Sequence, residues 1–247
     1  MPDAPDPAAT PAPTPSPLPE PTMPARLVAE FIGTFALVFA GCGAMVANDI
    51  TGGAVGHAAV GLTWGLIVMA IIYAVGDISG AHLNPAVTTA FWVANRIPGR
   101  AAGLYAVTQF LAAIAAAVAL AIIFPVAQGS DLGSTVPHPG INFAQLFLLE
   151  LLLSFGLMTV ILGVSTGAKE KGITAAIAVG ATVGLMALFA GPICRASMNP
   201  ARSLGPAFVS GDPLALSSLW VYLLATTLGA VLAVPVYAFM SKREPAS

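Results

Sequence analysis

Charge is what this sequence has least of. Asp, Glu, Lys and Arg make up 8% of its 247 residues and hydrophobic residues 57%, whereas a soluble globular domain carries about 25% charged residues. That scarcity excludes an ordinary soluble domain and points to a chain that lives in a bilayer. The net charge of −2 offers no basic footprint, so no nucleic-acid partner is expected. The two cysteines, Cys42 and Cys194, stand far apart. They form neither a disulfide framework nor a metal-ligand spacing, so no metal is expected. A Ser-His-Asp set, a His-Glu-x-x-His pair and a phosphate loop are also lacking, which argues against an enzyme and against a cofactor. Asp77, His57 and His82 fall at span ends or in loops and receive no chemical role.

What the chain has in abundance is long apolar runs. Six are long enough to cross a bilayer, at about 26–48, 57–76, 101–124, 142–164, 173–191 and 217–240. Ten of the 21 prolines precede residue 25. Such a segment has little to bury, so residues 1–24 read as a disordered tail, 25–241 as one membrane domain and 242–247 as a short second tail. No cleavable leader is expected, because the first apolar run starts near Leu27 behind that proline-rich stretch. Small residues recur through the spans. Gly33, Gly41, Gly61, Gly65, Gly103, Gly163, Gly180 and Gly184 are expected at close helix contacts.

Two stretches are neither spans nor ordinary loops: His82-Leu-Asn-Pro-Ala-Val-Thr88 and Ser197-Met-Asn-Pro-Ala-Arg-Ser203. Both carry Asn-Pro-Ala, as Asn84, Pro85, Ala86 and Asn199, Pro200, Ala201. Proline suits the first helical position, where its missing N–H is an orphan anyway, and asparagine suits the cap before it. Each motif therefore predicts a short helix, roughly Pro85 to Asn95 and Pro200 to Val209. Each is roughly 15 Å long, half of a hydrocarbon core about 30 Å thick. Three crossings separate the two motifs, so they enter from opposite faces and meet near the midplane.

The halves read as a repeat, about 26–124 and 142–240. Ala29-Glu30-Phe-Ile-Gly-Thr-Phe35 resembles Leu149-Glu150-Leu-Leu-Leu-Ser-Phe155. The expected fold is an all-α membrane protein with six transmembrane helices, two half-helices meeting at the midplane and an inverted repeat, with its working site at the broken helices. Arg26, Arg96, Arg100, Lys169, Lys171, Lys242 and Arg243 fall on one side and only Arg195 and Arg202 on the other. By the positive-inside rule both termini are cytoplasmic and the first motif enters from that side.

Two opposed helix N-termini present partial positive charge. With the amides of Asn84 and Asn199 they favour neutral hydrogen-bonding solutes and oppose ions, and a file of water turned there loses its proton wire. Arg202, three residues into the second half-helix, is a permanently charged group with five donors at membrane depth. Glu30 and Glu150 sit at equivalent places in apolar spans. They are expected to accept hydrogen bonds from the backbone of the irregular loops before each half-helix. A proton-coupled role for the same two residues defines the alternative of a driven transporter.

The twin motifs, with Ser79-Gly-Ala-His-Leu-Asn84 and Asn199-Pro-Ala-Arg-Ser203, resemble the major intrinsic protein family of aquaporins and glycerol facilitators over about 26–240. The run Ala196-Ser-Met-Asn-Pro-Ala-Arg-Ser-Leu-Gly-Pro206 is similar to the plant nodulin-like branch and its bacterial relatives. The resemblance implies passive transport, one pore per subunit, a homotetramer in the plasma or inner membrane, and a constriction of Trp64, Ala187, Ala196 and Arg202. Water-selective members usually have His where this chain has Ala187. Alanine there implies a wider gap with Trp64 as an apolar wall opposite Arg202. That suits glycerol-like polyols, urea or neutral metalloid acids, with water. The alternative is a mainly water-selective aquaporin, which Arg195 would favour if it turned inward. Cys194 is a candidate thiol at the mouth.

Overall fold

The computed structural model describes residues 20–124, 131–166 and 173–242. Most of the proline-rich tail, Lys169, Lys171 and Arg243 of the charge count, and the last five residues lie outside them. Among the described residues there are eight helices and no strand: α1 (Met23–Ile50), α2 (His57–Ser79), α3 (Pro85–Val93), α4 (Gly99–Ile123), α5 (Phe143–Thr166), α6 (Ile173–Cys194), α7 (Pro200–Ser210) and α8 (Pro213–Met240). Six of these are long and apolar enough to cross a membrane, with mean hydropathy between 1.8 and 2.4. The short α3 and α7 are the half-helices. Large apolar side chains such as Ile122, Leu185 and Phe189 point outward, the inverse of a soluble domain and the arrangement a lipid solvent favours.

Packing follows the repeat. α1 lies against α2 and α4, as α5 lies against α6 and α8; α3 packs on α8 and α7 on α4. The two units therefore exchange their half-helices across a pseudo-twofold axis. That axis passes where α2 meets α6. A Cβ on Gly65 would stand 2.7 Å from the Gly180 carbonyl oxygen, and one on Gly180 would stand 2.6 Å from the Gly65 carbonyl oxygen. The two glycines sit the same number of residues before Asn84 and Asn199, so the contact is reciprocal and only glycine fits either place. Gly103, by contrast, has nothing within 4 Å of a built Cβ, and Gly163 only ordinary contacts. Among the described residues neither mediates a close helix approach, with no neighbouring backbone within 4 Å of a built Cβ.

Candidate functional site

The site is built by two mirrored loops. In each, an asparagine ends an irregular segment and caps a half-helix. Asn84 Oδ1 accepts from the N–H of Ala86 at 2.8 Å and of Val87 at 3.5 Å; Asn199 Oδ1 accepts from Ala201 at 3.0 Å and Arg202 at 3.3 Å. Pro85 and Pro200 occupy the first helical positions. The side-chain amides then cross. Asn84 Nδ2 donates to the Met198 carbonyl at 2.7 Å, and Asn199 Nδ2 donates to the Leu83 carbonyl at 2.9 Å. Each amide has two N–H donors, so each asparagine ties the loops together and keeps one donor for a passing oxygen.

The loop backbones carry matching strain. Ala81 and Leu83 have φ of 46° and 54°; their counterparts Ala196 and Met198 have 44° and 54°. Non-glycine residues rarely adopt this region, and it persists only where surroundings impose it. Buried carboxylates do so here. Glu30 accepts from Ser79 Oγ at 2.7 Å, His82 N at 2.9 Å, Leu83 N at 2.7 Å and Gln109 Nε2 at 2.8 Å. Glu150 accepts from Ser197 N at 2.8 Å and Met198 N at 3.0 Å. Both glutamates are fully buried.

A single cavity runs past both motifs. It is lined by Asn84 and Asn199, by Trp64, Ala187, Ala196 and Arg202 at one end, and by Phe91, Val164 and Ser165 at the other. Trp64 and Ala187 also border a second, outer cavity with Met45, Asp49, His57 and Arg195. These two side chains mark the boundary between pore and vestibule. The four residues of the expected constriction are thus brought together, with one change of arrangement. Trp64 does not face Arg202 across a gap. The guanidinium carbon sits 4.5 Å from the indole centroid, so the two form one corner of the passage and the small Ala187 and Ala196 leave room beside them.

Arg202 is 1% exposed. Its Nη1 donates to the Gly133 carbonyl at 2.7 Å and lies 3.4 Å from Cys42 Sγ; Nη2 lies 3.3 Å from Met45 Sδ. Nε has no protein partner, and among the described residues Arg202 makes no ion pair. The charge is held by a carbonyl, two sulfur atoms and an indole face, not by a carboxylate. Arg195 lines the vestibule rather than the inner cavity and pairs with Asp131 at 3.5 Å. Cys194 is fully buried, bonds back to the Ala190 carbonyl, and borders neither cavity. Cys42 is the thiol beside the arginine.

Sequence reasoning missed Gln109 and Ser79 around Glu30, and Gly133, Cys42 and Met45 around Arg202. Gln109 was findable, as a lone amide within an apolar span. Gly133 leaves no signal, since it acts through its backbone.

Comparison with known proteins follows the same geometry. Residues 19–237 match the family model described as major intrinsic protein. Aquaporin NIP1-2 of Oryza sativa subsp. japonica is 44% identical over 201 residues, covering 79% of this chain and 64% of its own length. Nodulin-26 of Glycine max is 42% identical over 201 residues, covering 81% and 72%. The chain spans a little under two thirds of the rice relative's length. The crystal structure of the aquaglyceroporin from Plasmodium falciparum superposes with a TM-score of 0.79 at 27% identity, covering 87% of this chain and 96% of the other. The chain belongs to the major intrinsic protein family.

Proposed function

We propose that the protein is a passive channel for small neutral solutes of the glycerol type, with water, and that it excludes ions and protons. The observation that carries this reading is the single cavity that passes both asparagines and then the Trp64, Ala187, Ala196 and Arg202 corner. Two half-helix ends carry about half an elementary charge each. A monovalent cation about 5 Å from both, at an effective dielectric constant of about 20, meets roughly 3 kcal/mol of repulsion in addition to the cost of its lost water. Arg202, without a carboxylate partner, adds to that barrier. A neutral solute escapes both terms. It finds donors at Asn84 and Asn199, and an apolar wall at Trp64.

The alanines at 187 and 196 support a carbon-backed solute over water alone, and the structural relative named as an aquaglyceroporin agrees in kind. Urea and neutral metalloid acids belong to the same class of small uncharged hydrogen-bonding solutes. The Lys and Arg distribution supports a multi-pass protein of the plasma or inner membrane with both termini cytoplasmic; family resemblance supports a homotetramer.

Stopped-flow light scattering of proteoliposomes, under sucrose and then glycerol gradients, tests the reading. Fast glycerol re-swelling that drops at least about tenfold in Ala187→His, while water flux persists, is the expected result; tenfold corresponds to about 1.4 kcal/mol of added barrier. Fast water shrinkage with glycerol excluded in the unaltered protein would replace it with the water-selective alternative. Solute flux driven by a pH gradient would replace it with a proton-coupled transporter.

A further inference from the structure

We infer that Arg195 and Asp131 form a strap over the outer mouth that positions Arg202 through the carbonyl of Gly133, and so tunes what the constriction admits. This rests on the channel reading above for its consequence, though not for its geometry.

The strap begins with a residue in an unfavourable place. Arg195 stands four residues before Asn199, as Gly80 stands four before Asn84. Both adopt left-handed backbone, with φ of 61° and 86°. In the first loop glycine meets this demand without a Cβ; in the second an arginine meets it with strain. Its side chain spans the vestibule rim to Asp131.

Asp131 in turn builds a tight turn. Its Oδ1 accepts from Gly133 N at 2.9 Å, and its carbonyl accepts from Ser134 N at 3.0 Å. Leu132 and Gly133 both have positive φ, 52° and 68°. The turn is buried from Leu132 to Thr135, so this stretch between α4 and α5 is tucked into the mouth instead of lying over it. A Cβ on Gly133 would come within 3.0 Å of the Cys42 Cα; only glycine can bring its carbonyl to Arg202 Nη1 from here. Arg195 therefore acts on Arg202 through one ion pair and one turn, without touching it. Both are positioning residues. The ion pair is partly open to water, its side chains 34% and 18% exposed, so its effect is modest and graded.

Cys42 gives a readout independent of permeation. It is fully buried, with its thiol directed at the Gly133 carbonyl at 3.6 Å and Arg202 Nη1 against it. If the strap releases, the turn lifts more often and the thiol is uncovered. The experiment labels the full-length protein in proteoliposomes with a membrane-impermeant maleimide, in a Cys194→Ser background. Arg195→Ala should raise the labelling rate about fivefold, the opening that such an ion pair restrains. Asp131→Ala, which also loses the bond from Gly133 N, should raise it more, and Arg195→Ala on top of it should change nothing. Arg195→Lys, which keeps the charge opposite Asp131, should return the rate to within about twofold of the parent. The glycerol-to-water permeability ratio should move in the same variants and recover in the same rescue. Gly133→Ala, which displaces the turn directly, serves as the positive control. Labelling that rises in Gly133→Ala and stays at the parent rate in Arg195→Ala, whatever Asp131→Ala does, would overturn the strap, as would additive effects in the double variant. If the parent protein passes no glycerol the channel reading fails, and the labelling still decides the strap.

Discussion

The two halves of the cavity, inner and outer in the proposed orientation, are the same design with different side chains. Counting from each asparagine, the outer corner of Trp64, Ala187, Ala196 and Arg202 corresponds to Val179, Ile72, Ala81 and Val87 in the inner half. All eight line the same cavity. The backbones agree closely: the paired loop residues differ in φ by no more than a few degrees at Ala81 and Ala196, and not at all at Leu83 and Met198. In the inner half these four positions are aliphatic, and the symmetry is broken at three of them, Val179 to Trp64, Ile72 to Ala187 and Val87 to Arg202, while Ala81 and Ala196 are alike. Fold and motif supply the cavity and a central positive potential; in the proposed channel, selectivity is added on one side by these differing side chains. The loops differ in support as well. Glu30 gathers four N–H and O–H donors; Glu150 gathers two backbone N–H groups and the weaker thiol of Cys194. The half with the aliphatic positions is the more tightly clamped, and the half with the arginine relies on additional contacts from outside its own repeat.

That difference in clamping yields the largest effect. Glu30→Gln keeps the shape but turns one acceptor oxygen into a donor facing donors, whichever way the amide lies. Two of its four hydrogen bonds are lost. The same change at Glu150 loses one of its two backbone hydrogen bonds. At about 1 to 3 kcal/mol per buried unsatisfied group, Glu30→Gln should cost roughly 4 kcal/mol and Glu150→Gln about half that. Thermal unfolding of the detergent-solubilised protein reads both. Equal losses would mean the two carboxylates do equivalent work despite their unequal partners.

Next comes the broken symmetry itself. Arg202→Val makes the outer half copy Val87. It removes a charge without a carboxylate partner from the cavity wall, worth roughly 3 kcal/mol to a cation about 5 Å away at an effective dielectric constant of about 20. Cation leak through the variant should rise about hundredfold, measured as dye-reported potassium or proton flux in proteoliposomes, while glycerol flux holds or increases. A variant that stays tight to ions would assign exclusion to the two half-helix ends alone.

How much of this could be seen in the sequence follows from what each feature is made of. The spans, the half-helices and the pairing of Glu30 and Glu150 with the loops are local or periodic. They rest on runs of apolar residues, on Asn and Pro at a helix start, and on two carboxylates in places that lipid forbids. Gathering Trp64 and Ala187 with Arg202 was legible only through resemblance, because they come from three helices. Their adjacency was not legible at all: whether a guanidinium faces an indole or stacks on it is decided by Gly133, Cys42 and Met45, which hold its far side. Gly133 contributes a carbonyl, a group every residue has. Gly103 shows the opposite error. A small residue in a span looks like a packing site whether or not a helix lies against it.

The smallest effect is the sharpest test of the comparison. Arg195→Gly gives the outer loop the residue its inner counterpart Gly80 has. Glycine relieves the left-handed strain of an arginine at φ 61°, worth roughly 1 kcal/mol. Against this stand the greater freedom of glycine in the unfolded chain, about 0.5 to 1 kcal/mol, and the lost pair with Asp131, about 0.2 to 1 kcal/mol. These terms nearly cancel, so the melting temperature should shift by less than a few degrees. The glycerol-to-water permeability ratio should nonetheless change about as much as in Arg195→Ala, because the ion pair is absent in both. A channel whose stability and selectivity both stay put would show that Arg195 only tolerates its position. A change in selectivity at constant stability would show that the strain is retained for the filter, and that the outer half departs from the inner one in its backbone residue as well as its side chains.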